Sequence, residues 1–242
     1  MIFATPAAAT TLYETGFEGM SAPAWLAGQD GWAWRNGSPT AAWRVRVFGT
    51  TERVRTGTQS LLTGNSIGTW VTHSFDPITA GTVEIEFYAI NYADGYEDVS
   101  FQIYMTDGVA SDAKIGGALI VSHNDLRYYT GTAGGSVDST YDLPVDNTWS
   151  KIRMVCDLDN STYKVYLTPD GGSEITIAGN GGFRTADVTQ ISAIQFQNQW
   201  AAVPDNQQAW IDDLKISAVP EPATMGLLAV GLVGLARRRS RK

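Results

Sequence analysis

The chain has 242 residues, 43% of them hydrophobic, and a formal net charge of −8, so nucleic acid and anionic lipid surfaces would repel it. A single cysteine, Cys156, excludes an intramolecular disulfide. The only histidines, His73 and His123, leave too few ligands for zinc sites of the usual His and Cys types.

Residues 1–9 end in an Ala-x-Ala pattern but lack a basic start and a full apolar stretch. They read as a signal-peptide remnant whose start was placed too late, the alternative being an ordinary Ala-rich terminus. Residues 10–218 follow as one domain. Strands are expected at Leu12 to Phe17, Trp43 to Phe48, Ser60 to Leu62 and Trp70 to Phe75. Val83, Ile85 and Phe87 then alternate with Glu84 and Glu86, and Val99 to Met105 alternates against Ser100, Gln102 and Tyr104. After Ala118 to His123, the run Trp149 to Leu158 turns at residues 159–162 and returns through Tyr163, Val165 and Leu167, a hairpin. Glu174 to Ile177, Ile191 to Gln197 and Trp210 to Ser217 complete the set, and Gly-rich turns separate some of them. A dozen short strands without a sustained helical period predict an all-β antiparallel sandwich or jelly roll.

The last 24 residues differ in kind. Val219-Pro220-Glu221-Pro222 is a stiff extended linker, residues 223–236 are an uncharged apolar run, and Arg237, Arg238, Arg239, Arg241 and Lys242 close the chain. As a helix the run is about 21 Å long, short of the ~30 Å hydrocarbon core, and the arginines favour the cytoplasmic side. This predicts a short C-terminal transmembrane helix with the body outside. The order of parts resembles the PEP-CTERM sorting signal, a tail that also goes under the name of an ice-binding-protein C-terminal domain without implying anything about ice. The resemblance implies processing by an exosortase in a Gram-negative bacterium that makes extracellular polysaccharide. It also implies transient passage through the inner membrane and delivery to the cell surface or extracellular matrix. Setting the tail aside removes five basic residues and one acidic residue, leaving 12 against 24 in residues 1–218, a net charge of −12.

Several landmarks of the body point to a second family. Glu14 to Gly19, Thr56 to Leu61, Trp149 to Asp157 running into Thr162 to Leu167, and Ala209 to Ile216 follow in an order similar to the concanavalin A-like lectin and glucanase jelly rolls, especially their laminin-G-like bacterial members. Many glycan-binding members hold a structural Ca²⁺ with acidic residues from the first and last strands, positions that Glu18 and Asp212 or Asp213 occupy. Strict alternation would place Asp212 on the face of Trp210, Leu214 and Ile216, where a carboxylate needs a cation or several N–H donors. Both remain open from sequence. Residues 94–98 form a weaker second cation candidate.

The catalytic strand of the jelly-roll glucanases reads E-x-D-x-x-E. Glu84 and Glu86 fill its first two places, but the third falls on Ala89, on the opposite face, which leaves no general acid. A lyase would want a cationic clamp for uronate carboxylates, and Arg44, Arg46, Arg53 and Arg55 are the nearest approach to one. Gly64 to Gly68 matches a nucleophile elbow by letter, yet a strand-like segment follows it where a helix belongs. Cys156 sits at an apolar strand position and reads as a small buried hydrophobe. Sugar rings stack on aromatic faces, so Trp32 and Trp34, with Trp43 near them, and Tyr128 and Tyr129 are candidate glycan contacts.

The expectation is a non-enzymatic exported protein with a glycan-binding role. It needs no cofactor beyond a candidate structural Ca²⁺. Its partners would be exosortase, the export machinery and extracellular polysaccharide, and not nucleic acid. The alternatives are a glycoside hydrolase or polysaccharide lyase of the same fold, or a structural surface protein without a ligand.

Overall fold

A computed structural model of the chain describes residues 9–36, 44–47, 53–63, 70–91, 100–110, 112–122, 126–132, 135–139, 141, 148–198 and 209–219. The sorting tail beyond Val219, residues 1–8, Trp43, the Gly64 to Gly68 turn, the 94–98 loop and His123 lie outside them. Among the described residues there are no helices, and so none long and apolar enough to cross a membrane.

Two antiparallel sheets form a sandwich. The nine-stranded sheet contains β1 (Thr10–Thr15), β2 (Ala24–Trp25), β4 (Arg44–Val47), β5 (Gln59–Leu62), β7 (Thr82–Asn91), β12 (Ser150–Asp157), β13 (Thr162–Thr168), β14 (Ile175–Gly182) and β16 (Ala209–Val219). Its order is β14-β13-β12-β7-β16-β5-β4-β2, with β1 paired to β16 beside this path. The seven-stranded sheet contains β3 (Trp32–Asn36), β6 (Trp70–Ile78), β8 (Ser100–Thr106), β9 (Ile115–Ser122), β10 (Leu126–Tyr129), β11 (Ser136–Asp138) and β15 (Ile191–Asn198), in the order β11-β10-β9-β8-β15-β6-β3. Strands distant in sequence are neighbours in each sheet, as in a jelly roll.

Alternation drives this assembly. Val83, Ile85, Phe87 and Ala89 of β7 face Cys156, Met154, Ile152 and Ser150 of β12 in register, and all are buried. Opposite them lie Phe101, Ile103 and Met105 of β8, Leu119 and Val121 of β9, and Ile194 and Phe196 of β15. Phe87 meets Phe196 edge-on at 6.5 Å, and the Cys156 Sγ sits 3.3 Å from Met105 Sδ. Burial pushes the Cys156 thiol up to about 12, so it is an apolar filler in the core.

Every strand expected from alternation is present, with ends moved by a few residues. The first one stops at Thr15, because Phe17 takes φ 65° and turns its ring into the core. β2, β3, β10 and β11 were not expected: β2 and β11 are only two and three residues long, and the patterns of β3 and β10 are broken by Arg with Asn or Tyr.

The alternation expected through Trp210 to Ile216 is corrected. A bulge between Asp212 and Lys215 inserts an extra residue opposite β7, with Asp213 at φ 49°. Ile211, Leu214 and Ile216 point into the core. Trp210 belongs to a separate cluster with Leu62 and Ile90 on the outer face, the face Asp212 shares. Asp212 is therefore not set among core side chains.

Candidate functional site

Three of the landmark motifs, around Glu18, Thr56 to Leu61 and Asp212, converge on one clasp. The segment from Arg53 to Gln59, just before β5, is held from two sides by carboxylates. Asp212 is 0% exposed and accepts the N–H groups of Arg55 at 2.9 Å, Thr56 at 3.2 Å and Asp213 at 2.8 Å. Asp213 pairs with the Arg55 guanidinium and accepts the Thr56 hydroxyl at 2.6 Å, while Arg55 lies 3.3 Å over the Tyr88 ring. Glu18 accepts the N–H groups of Thr58 and Gln59, each at 2.7 Å, and the Thr58 hydroxyl at 2.8 Å. Gly57 passes so close that a Cβ there would lie 2.3 Å from Glu18 Oε1, and its φ of 66° also favours glycine.

These residues do not fit calcium. The ion takes six to eight oxygens, but both oxygens of Glu18, Asp212 and Asp213 already receive protein donors, one of them the Arg55 cation. Among the described residues no three carboxylate, His or Cys groups gather to hold a metal. Thermal unfolding in EDTA and in millimolar Ca²⁺ should therefore coincide. An ion at a hundredfold its Kd would add about 2.7 kcal/mol and move the midpoint by several degrees.

The glutamates of β7 are ion-paired across to β12. Glu84 meets Arg153 and Glu86 meets Lys151, each at 3.1 Å, on the outer face of the nine-stranded sheet. Arg153 also binds Glu174, and Ala89 faces the core. The cationic clamp considered at Arg44 to Arg55 does not form around Arg55, which is committed to Asp213 and Tyr88.

The aromatic candidates divide. Trp32 is 2% exposed, stacks on Phe196 at 5.4 Å and donates its indole N–H to the Tyr13 hydroxyl, so it is a core residue and not an open platform. Trp34 and Tyr128 pack against the same core. Register separates Tyr129 from Tyr128: Tyr128 pairs with inward-facing Leu119, so Tyr129 points to the outer face of the seven-stranded sheet.

That outer face holds a concentration of polar groups that the sequence reading did not single out. One row crosses the strands as Trp70, Gln197, Gln102, Ile120, Arg127 and Asp138; the next as Thr72, Gln195, Tyr104 and Ala118. Gln102, Gln195, Tyr104 and Thr72 are all buried. Gln195 accepts from Arg35 and donates to Thr106 Oγ1 at 3.2 Å and to the Gly108 carbonyl at 3.0 Å. Arg35 lies 4.3 Å over the Trp70 ring, which stacks on Tyr104 at 5.4 Å. The Tyr104 hydroxyl donates to Gln197 at 3.2 Å. Arg184, just beyond β14, lies 5.5 Å from the Tyr104 ring and 4.3 Å over the Tyr129 ring. Burial pushes Tyr104 up to about 12, although Arg184 pulls the other way, so the phenol stays a hydrogen-bonding group. Signs of this face were present in the alternation of Gln102 and Tyr104, but Arg35, Trp70, Gln195 and Arg184 join it only through long-range pairing.

Comparison with known proteins fits both parts of the chain. Residues 218–242 match the PEP-CTERM protein-sorting motif. The structure resembles the catalytic domain of a glycoside hydrolase family 131 protein from Coprinopsis cinerea, with TM-score 0.54, 11% identity, 88% of this chain and 99% of that one. It also resembles peanut lectin, with TM-score 0.53, 10% identity, 88% and 98% coverage. Arcelin-5, a lectin-like defence protein of Phaseolus vulgaris, gives 0.52, 9%, 90% and 100%. No curated protein sequence matches the chain. Identities this low establish the shared fold and nothing finer. The body shares the jelly-roll fold of these proteins, and the chain ends in a PEP-CTERM sorting signal that marks it for export, through transient membrane passage, to a surface or extracellular destination.

Proposed function

We propose that this is a non-enzymatic, glycan-binding protein of the cell surface or extracellular matrix, sorted by an exosortase in a Gram-negative bacterium that makes extracellular polysaccharide. The single observation that carries the binding role is the outer face of the seven-stranded sheet. The half-buried Trp70 and Tyr129 rings, with Arg35 and Arg184 against them over a layer of buried amides, form the mixed polar and apolar surface that saccharides need. The lectin-like fold is compatible with this and does not name a ligand.

The competing reading is a hydrolase or lyase on the same fold. Retaining or inverting hydrolysis needs two carboxylates across the scissile bond. The two described rows of the outer face carry a single carboxylate residue, Asp138 at the β11 edge, and Glu84 and Glu86 are engaged on the other sheet. That supports binding without turnover. The test incubates the full-length chain with immobilised β-glucans, alginate and pectin. Retention should occur without release of reducing ends or of unsaturated uronates absorbing in the ultraviolet. Product that disappears in Glu84→Gln or Glu86→Gln would overturn the non-enzymatic reading, and retention on none of the polymers would overturn the binding one.

A further inference from the structure

The sorting motif begins inside the fold. Its match starts at residue 218 and β16 runs on to Val219, so Ala218 and Val219 belong to the motif and to the sheet at once. Both are held by neighbouring strands. Val83 and Thr82 of β7 pair with Ala218 and Val219 on one side, and Thr10 of β1 pairs with Ala218 on the other. Thr82 is fixed in turn by the residue before it. The Gly81 N–H donates to Asp159 at 2.8 Å, and the Gly81 carbonyl accepts the Leu158 N–H at 3.0 Å.

Only Pro220, Glu221 and Pro222 separate Val219 from the apolar run that opens at Ala223. Extended chain rises at most ~3.6 Å per residue, so these four steps reach about 14 Å. While the run lies in the membrane, a headgroup layer takes up roughly 6 Å of that reach. The ~8 Å left is less than the ~10 Å between two packed sheets, so no folded layer fits between body and membrane. An enzyme that grips the motif from both sides needs chain on its N-terminal side, and the sheet holds that chain.

The residues at the strand end make it releasable. Ser217 and Ala218 have small side chains and Val219 is only half-buried, whereas Leu214 and Ile216 just before them are 0% exposed in the core. Freeing residues 217–219 breaks terminal pairing and little packing, and such ends open locally far more often than the whole domain unfolds. Opening further would draw Ile216 out of the core into water. Resting on the exosortase sorting proposed above, we propose that the end of β16 is a gate on tail processing: residues 217–219 must leave the sheet before the enzyme can engage the motif. Ile216 stops the opening there. The freed residues lengthen the reach by about 10 Å, and the rate of processing follows the local opening of this strand end.

The experiment is a pulse–chase of the full chain, exported behind a host signal peptide in a Gram-negative strain that processes PEP-CTERM tails, with the shortened form read by immunoblot. About six Gly and Ser residues inserted between Val219 and Pro220 supply the slack without any opening, and should speed conversion about tenfold. Asp159→Ala removes the acceptor of the Gly81 N–H, loosens the turn beside Thr82, and should speed conversion about threefold. The unfolding midpoint of each variant separates local opening from loss of the whole fold. Native-state hydrogen exchange on the purified, unaltered chain gives a reading that needs no variant: amides of residues 217–219 should exchange at least about tenfold faster than those of 214–216. Conversion of the insertion variant at or below the native rate, or equal protection of the two segments, would overturn the gate and leave sorting intact. A reporter carrying residues 218–242 on a flexible linker distinguishes the other failure. If neither it nor any form of the chain is shortened, the sorting reading itself falls.

Discussion

Replacing Asp212 by alanine is expected to cost the fold about 3 kcal/mol, roughly ten degrees in melting midpoint for a domain of this size. The side chain is fully buried and accepts three backbone N–H groups, so its loss leaves those donors without their acceptor. It would also loosen the Arg53 to Gln59 segment, whose carboxylate holds are then Asp213 on β16 and Glu18. Asp212→Asn tests the charge separately. Burial pushes the Asp212 carboxyl up from its ordinary 3.8 to about 6, helped by Asp213, while the three N–H donors pull it down. A carboxyl that holds its proton more tightly when folded stabilises the fold fully below its unfolded pKa, and that contribution is lost as pH rises through 6. The stability of the native chain relative to Asp212→Asn should therefore fall by up to about 3 kcal/mol between pH 4 and pH 7. Urea unfolding of both proteins at the two pH values reads the difference. A relative stability that rises with pH would mean that the N–H donors outweigh burial and hold Asp212 ionised.

Asp212 also marks how far the sequence could be read. Alternation located β7, β8, β12 and β13 because each buries one face against the facing sheet, and period two is then forced on the residues. It failed at β16, where one inserted residue exchanges the faces, and nothing in Trp210 to Ile216 signals a bulge except the paired aspartates. The carboxylates of the clasp were legible as residues needing partners; that the partners are backbone N–H groups and Arg55 was not, because those donors lie some 150 residues earlier in the chain. Sequence leaves Trp32 and Trp34 as candidate glycan contacts because it does not place β3; pairing with β6 turns both rings inward. The polar face of the seven-stranded sheet escaped for a related reason. Gln102 and Gln195 look like ordinary solvent-facing strand residues until register sets the one beside Gln197 and the other beside Tyr104, where both are buried. The tail is the opposite case: its parts act in sequence order, so no folding was needed to recognise them.

The second large effect is expected at Tyr163, whose ring and hydroxyl tie the two sheets together along one side. The residue belongs to β13 of the nine-stranded sheet, is fully buried, and reaches across to β9 and β10 of the other. Its hydroxyl accepts the Tyr129 N–H at 2.6 Å and lies 3.0 Å from the Ala118 carbonyl and 2.8 Å from that of Tyr129, to either of which it can donate. The neighbouring chain leaves room only for hydrogen where the ring passes: a Cβ at Gly181 would come within 2.7 Å of Tyr163 Cε1. Burial raises the Tyr163 pKa, so the phenol keeps its proton through the neutral range. Tyr163→Phe keeps the ring and strands the Tyr129 N–H, costing about 2 kcal/mol. Tyr163→Ala also opens a cavity between the sheets and should cost about 5 kcal/mol, near the whole stability of a marginal domain. Denaturant unfolding of the two variants separates hydrogen bond from packing. A Tyr163→Phe midpoint equal to that of the native chain would show that the hydroxyl contributes nothing. If it contributes as expected, native-state hydrogen exchange at Tyr129 should accelerate in Tyr163→Phe. Because Arg184 rests on the Tyr129 ring, polysaccharide retention should weaken in the same variant.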